Sequence, residues 1–153
     1  MQERATGYGL IEGPVWDPAK GLYFSDVLGG GIFLLDREDK VSLAVPKRRG
    51  VGGMALHADG GLVAGGRDVV HVSLADHSMQ VLLDAKAADN AIGFNDLATD
   101  ARGRVYVGSI AFRIFKDEEM KPGNLYVIDP DAKVRPISEN TVSRARELMG
   151  IFG

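Results

Sequence analysis

The stretch Ile11-Glu12-Gly13-Pro14-Val15-Trp16-Asp17 places a carboxylate inside an apolar run. A charged side chain in that setting is either solvent-facing or a ligand. The Gly13-Pro14 step after it reads as a turn that aims the preceding side chain. A second candidate is Phe94-Asn95-Asp96-Leu97. Asn95 there either shapes a turn through side-chain-to-backbone bonds or lines a pocket, and Asp96 either orients Asn95 or ties down the loop. Asp26, which closes Phe24-Ser25-Asp26, reads as a structural strand-end aspartate, and Trp16 and Met54 read as packing. His57, His71 and His77 have neither the i,i+4 spacing of a helical metal pair nor a nucleophilic serine motif beside them, so they read as separate strand or surface residues. Gly29-Gly30-Gly31 lacks the Lys-Ser/Thr and the helix of a phosphate loop and reads as a bend between strands.

The elements that must position these residues come from laying the chain on itself. Val15–Glu38, Met54–Asp76 and Leu97–Phe112, the last resuming at Gly123–Asp131, share one order: a short apolar stretch, a tight turn, a strand, then another strand. The turns are Asp17-Pro18-Ala19-Lys20-Gly21, Ala58-Asp59-Gly60-Gly61 and Asp100-Ala101-Arg102-Gly103. Leu22, Leu62 and Val105 then align at steps of 40 and 43 residues, and Asp36, Asp76 and Asp129 at 40 and 53. The longer last step reflects an insertion at 113–122, either a loop over the pocket or a plain surface excursion. A period near 40 with several short strands per unit predicts an all-β fold of β-propeller blades. A two-sheet sandwich is the alternative. Three blades are fewer than the 4–8 of a closed ring.

Composition narrows the class. The 153 residues include 45% hydrophobic and 25% charged side chains, which is the globular range for one domain. The formal charge is −3, and the densest basic run, Lys47-Arg48-Arg49, reads as an exposed turn rather than a nucleic-acid patch. No cysteine is present, which rules out disulfides and thiolate metal sites and fits a reducing compartment. No apolar h-region follows Met1-Gln2-Glu3-Arg4, and no apolar run approaches the ~20 residues of a membrane span. The expectation is a soluble, cytoplasmic protein with no nucleic-acid or membrane partner.

Four segments carry a more specific signal: Glu12–Asp26, Val51–Val63, Gly93–Ser109 and Pro122–Asp131. In this order they resemble the SMP-30/gluconolactonase/LRE family, six-bladed propellers of which many are divalent-metal-dependent lactonases. The resemblance spans about residues 8–137. It implies that Glu12 is a metal ligand and that Asn95 lines the same pocket, touching substrate or the metal's water, with Asp96 beside it. It further implies a divalent metal, Ca²⁺ first, with Mg²⁺, Mn²⁺ or Zn²⁺ as alternatives. Carboxylate and amide oxygens are hard donors suited to such cations. A cation of this kind polarises a lactone carbonyl and activates water, and a carboxylate takes the proton. The implied substrate is a lactone or related ester. Gly93 stands where sugar-lactone-binding members often carry arginine, which weakens the inference of a sugar-like substrate.

The resemblance also sets an expectation of incompleteness. Residues 1–137 read as a partial propeller of about three blades. Residues 138–153 read as a divergent tail, helical or disordered, in which Met149 would stand at a ligand asparagine. The other ligands and the general base are expected beyond residue 153. The chain therefore reads as the N-terminal half of a lactonase-like ring with an incomplete site, and the alternative is a non-catalytic propeller fragment that binds or assembles. An open blade edge is expected to favour self-association.

Overall fold

A computed structural model describes residues 2–113 and 116–138. Twelve strands form three four-stranded antiparallel sheets, each built in chain order. The first blade is β1 (Ile11–Asp17), β2 (Gly21–Asp26), β3 (Ile32–Asp36) and β4 (Val41–Val45). The second is β5 (Met54–Leu56), β6 (Leu62–Ala64), β7 (Asp68–Val72) and β8 (Met79–Asp84). The third is β9 (Gly93–Thr99), β10 (Val105–Ile110), β11 (Leu125–Ile128) and β12 (Val134–Ser138). The one helical element among the described residues is a 3₁₀ turn at Ala85–Ala87. These are propeller blades, and the sandwich alternative falls. The expected tail lies outside the described residues from 139 onward.

Each blade has one strand more than the repeat revealed. The outer strands β4, β8 and β12 are largely exposed and lack a strong apolar pattern. They are held by ladder hydrogen bonds to the strand before them.

The core lies between the blades. Tyr23, Ile32 and Val45 of the first pack with Leu62, Ala64, Val70 and Val72 of the second. Val63, Val69 and Leu83, from the opposite face of the second, pack with Phe94, Val105, Val107, Tyr126 and Ile128 of the third. Strand alternation produces this, since neighbours in sequence point to opposite faces.

The turns between inner and second strands are closed by a side-chain acceptor. Asp17 Oδ1 accepts the Ala19 N–H (2.8 Å), and Asp100 Oδ1 accepts the Arg102 N–H (3.0 Å). In the second blade His57 takes that place, its Nδ1 accepting the Asp59 N–H (3.1 Å).

Four readings of the sequence change. Trp16 is 56% exposed rather than core, because no blade covers its face of the first sheet among the described residues. Arg48 is not an exposed turn residue: its side chain is 10% exposed, pairs with Asp68 (2.8 Å) and donates to the Gly65 and Asp68 carbonyls. His57 and His71 do meet, stacked with ring centroids 3.7 Å apart, because pairing in the second blade brings the β5–β6 turn to β7. Gly13-Pro14 makes a β-bulge inside β1 rather than a turn.

Candidate functional site

Glu12 pairs with Ser25 and Val15 with Tyr23, so β1 carries one extra residue at Gly13-Pro14. Gly13 adopts φ +58°, a left-handed conformation that costs glycine little, and Pro14 has no N–H to leave unpaired. Bulges re-aim neighbouring side chains, and this one follows Glu12 directly. The Glu12 carbonyl accepts from Ser25 Oγ (3.1 Å), and the same hydroxyl reaches the Val51 carbonyl. Ser25 is fully buried, so one hydroxyl ties the backbone beneath Glu12 to the lead-in of the second blade.

The third blade repeats the irregularity. Phe94 pairs with Ser109 and Leu97 with Val107, leaving an extra residue in β9 at Asn95-Asp96. Between these bulges lies Gly52-Gly53, just ahead of β5. A Cβ on Gly13 would stand 3.2 Å from the Gly52 carbonyl oxygen. A Cβ on Gly52 would stand 2.0 Å from Asn95 Oδ1, and one on Gly53 would stand 2.4 Å from the Leu97 nitrogen. The starts of all three inner strands therefore meet around two glycines, with Glu12 on one side and Asn95-Asp96 on the other.

The side chains there differ from other polar groups at strand ends. Asp17, Asp36, Asp76, Asp84 and Asp100 each accept backbone N–H groups. Asp26 is buried and accepts from Gly9, Leu10, Leu28 and Gly29, which holds its carboxyl below the usual range and bears out its structural reading. By contrast, the Glu12 and Asp96 carboxylates and the Asn95 amide are exposed and make no side-chain hydrogen bond among the described residues. The turn-shaping bond allowed for Asn95 is not formed.

The donors suit a hard divalent cation in kind: a carboxylate and an amide oxygen, with Gly52 leaving the amide oxygen clear. They do not complete a shell, since Ca²⁺ takes roughly 6–8 oxygens and no group of three or more His, Cys, Asp or Glu gathers among the described residues. The connection from β10 to β11, which contains the 113–122 insertion, leaves at this same end, where Ile110 pairs with Gly93.

Sequence reasoning missed Ser25 and the Gly52-Gly53 step. The glycine pair carried a usable signal, because glycines in an apolar run without turn chemistry mark close backbone approach.

A cleft of about 870 Å³ opens at the opposite end of β5 and β9, lined among others by His57, His71, Asp100 and Arg102. Glu12, Asn95 and Asp96 do not line it.

Fold and site together define a β-propeller chain whose oxygen donors gather at one end of the inner strands. The chain belongs to the SMP-30/gluconolactonase/LRE-like family, whose model matches residues 10–144. It is 27% identical over 139 residues to YvrE of Bacillus subtilis, a sugar lactone lactonase by name, covering 90% of this chain and 46% of that protein. It superposes on a gluconolactonase of Xanthomonas campestris with a TM-score of 0.73 at 22% identity, covering 86% of this chain and 48% of that one. The match to regucalcin of Agrobacterium tumefaciens, a calcium-binding protein, has a TM-score of 0.70 at 17% identity, covering 88% and 45%. The chain thus spans about half the length of the relatives it matches.

Proposed function

We propose that this chain carries part of the site of a metal-dependent lactone hydrolase. The observation that supports the reading is the approach of the Gly13 bulge and of Asn95 to Gly52, with the Glu12 and Asn95 side chains exposed and without a hydrogen-bond partner among the described residues. Family membership supports the lactone class, and the calcium-binding relative supports the cation.

In this reading Glu12 holds the cation through its carboxylate and Asn95 contributes its amide oxygen. Bound there, a divalent cation supplies Lewis acidity toward a lactone carbonyl. The Asn95 amide, which has both donor and acceptor atoms, orients the lactone's oxygens, and Asp96 lines the approach. Residues 1–137 act as the propeller portion, in the cytoplasm.

The test is hydrolysis of a sugar δ-lactone by the purified full chain with Ca²⁺, Mg²⁺, Mn²⁺ or Zn²⁺, beside Glu12→Ala. Cation-dependent turnover lost in Glu12→Ala is expected. Equal rates in the two proteins, with no cation-induced rise in Tm, would sink the reading. A second reading, a non-catalytic binding or assembly module, is favoured by the small donor set. It predicts a cation-induced rise in Tm without turnover.

A further inference from the structure

Arg48 lies in the segment that crosses from the first blade to the second, after β4 ends at Val45 and before β5 begins at Met54. A long cationic side chain in such a crossing ordinarily reaches into water. This one turns inward, its side chain 10% exposed, and directs its donors at one short connection. Nε and Nη2 both reach the Gly65 carbonyl (3.2 and 2.9 Å), and Nη2 also reaches the Asp68 carbonyl and Oδ1, each at 2.8 Å. Gly65 follows β6 and Asp68 opens β7, so the guanidinium holds both arms of the β6–β7 turn. A planar fork with nitrogens at fixed spacing suits that task. The Asp68 carboxylate pairs the charge, without which a buried cation is costly.

That turn is what lies next to Asn95. The Gly65 N–H donates to the Gly53 carbonyl (3.0 Å), while the Gly65 carbonyl accepts from Arg48. Gly66 then bridges to the third blade: its N–H donates to the Phe94 carbonyl (3.2 Å), and the Phe94 N–H donates to the Gly66 carbonyl (2.6 Å). Phe94 is fully buried and directly precedes the bulge at Asn95. The path is tightly packed. A Cβ on Gly65 would stand 3.0 Å from the Asn95 carbonyl oxygen, one on Gly93 3.0 Å from the Gly66 carbonyl oxygen, and one on Gly66 3.1 Å from the Arg49 carbonyl oxygen. The Arg48 carbonyl meanwhile accepts the Gly31 N–H (2.7 Å), so the residue that holds the turn is itself tied to the first blade.

We propose that Arg48 is a positioning residue for Asn95, acting through Gly65, Gly66 and Phe94. Two adjacent glycines give the β6–β7 turn more backbone freedom than any other pair of residues. The guanidinium removes that freedom by fixing the turn at both ends, and it satisfies a Gly65 carbonyl whose loss of a partner would be costly. Without it the Gly66–Phe94 bridge loosens, and the Asn95 backbone with it. The part Asn95 plays toward a cation rests on the reading given above, while its placement by Arg48 does not.

Amide hydrogen exchange on the full chain tests this without any ligand. In Arg48→Met the Gly66 and Phe94 amides are expected to exchange roughly tenfold faster or more, while the amides of β10 and β11 keep their rates. Equilibrium dialysis with Ca²⁺ as the probe is expected to give a Kd raised roughly tenfold, the low end of what losing a residue behind a ligand costs. In an Asn95→Ala background, Arg48→Met is expected to leave the Kd where Asn95→Ala puts it. Arg48→Lys keeps a charge for Asp68 but has no fork. It serves as the second variant should Arg48→Met misfold, with the same two amides expected to exchange faster. Unchanged exchange at Phe94, exchange that rises alike in all three blades, or a Kd that rises as much with Asn95 removed each overturns the proposal. If the unaltered chain takes up no Ca²⁺, the ligand reading of Glu12 and Asn95 fails, and exchange at Phe94 alone decides for or against Arg48.

Discussion

At the scale of the residue, the site depends on what two glycines leave out. A Cβ on Gly52 meets the movable end of the Asn95 side chain, whereas one on Gly53 meets the backbone at Asp96 and Leu97. Gly52→Ala is therefore expected to displace the Asn95 amide and weaken cation or lactone binding, with little change in Tm. Gly53→Ala is expected to destabilise the fold by about 1–3 kcal/mol, the usual range for overpacking. Calorimetry with and without Ca²⁺ on both variants checks the split, and equal losses of stability would contradict it. For Glu12, saturation is the measure. Ca²⁺ at a hundredfold above Kd adds about 2.7 kcal/mol of stability, and Glu12→Gln is expected to abolish that gain. The convergence of the Glu12 and Asn95 segments on Gly52-Gly53 was not legible in the sequence, because it depends on two bulges and a close glycine approach that only the sheet register reveals. Nor was Ser25, since a serine between Phe24 and Asp26 looks like any strand residue until its partners across the sheet are known.

At the scale of the element, the inner-strand turns were legible from their Asp and Gly residues, but the role of His57 was not. To accept the Asp59 N–H its Nδ1 must be unprotonated. His71 Nε2 donates to the Gly60 carbonyl (2.7 Å) and stacks on the His57 ring. Burial first, then the His71 charge, push the His57 pKa below 6.5, and the Asp59 carboxylate opposes them weakly from an exposed position. Asp100 and Arg102 face the pair across the cleft. Because the folded pKa is depressed, the unfolded chain takes up the proton first as pH falls. Stability is then fully present above about 6.5 and declines as pH drops from there toward the folded value. His57→Asp, which installs the acceptor used in the other two blades, is expected to remove this decline in a Tm-against-pH series. An unchanged slope would rule His57 out as its source. The outer strands escaped the sequence reading for a related reason: exposed ladder strands such as Val41–Val45 need no apolar periodicity.

At the scale of the whole molecule, a second loss of stability is expected in stronger acid. Arg104 beside Asp100 and the Ser78 N–H beside Asp76 hold those carboxyls at about 2, and the Gly29 N–H leads four backbone donors that depress Asp26. Groups lowered in the fold contribute stability above their ordinary value of 3.8 and lose it as pH falls toward about 2. An acid titration is therefore expected to show two separate declines, one beginning near 6.5 and one below 3.8. The blade architecture was legible because the unit recurs. The exposure of Trp16 was not, because burial on a blade face depends on a neighbour rather than on the residue's own type.

The Ser25 hydroxyl shared between the Glu12 and Val51 carbonyls has a kinetic consequence. The bond to the Glu12 carbonyl lies within the first blade, whereas the bond to Val51 forms only once that blade meets the lead-in of the second, so the cation site proposed at Glu12 gains this brace late, after the sheets themselves have formed. Ligands that recognise only late structure slow unfolding and leave the folding limb of a chevron unmoved. Stopped-flow refolding in Ca²⁺ should therefore show an unchanged folding rate and a reduced unfolding rate. Ser25→Ala should do the reverse to the unfolding limb, accelerating it without calcium in the solution. On the proposed reading, the timing of a single hydroxyl makes cation binding a clock for blade docking.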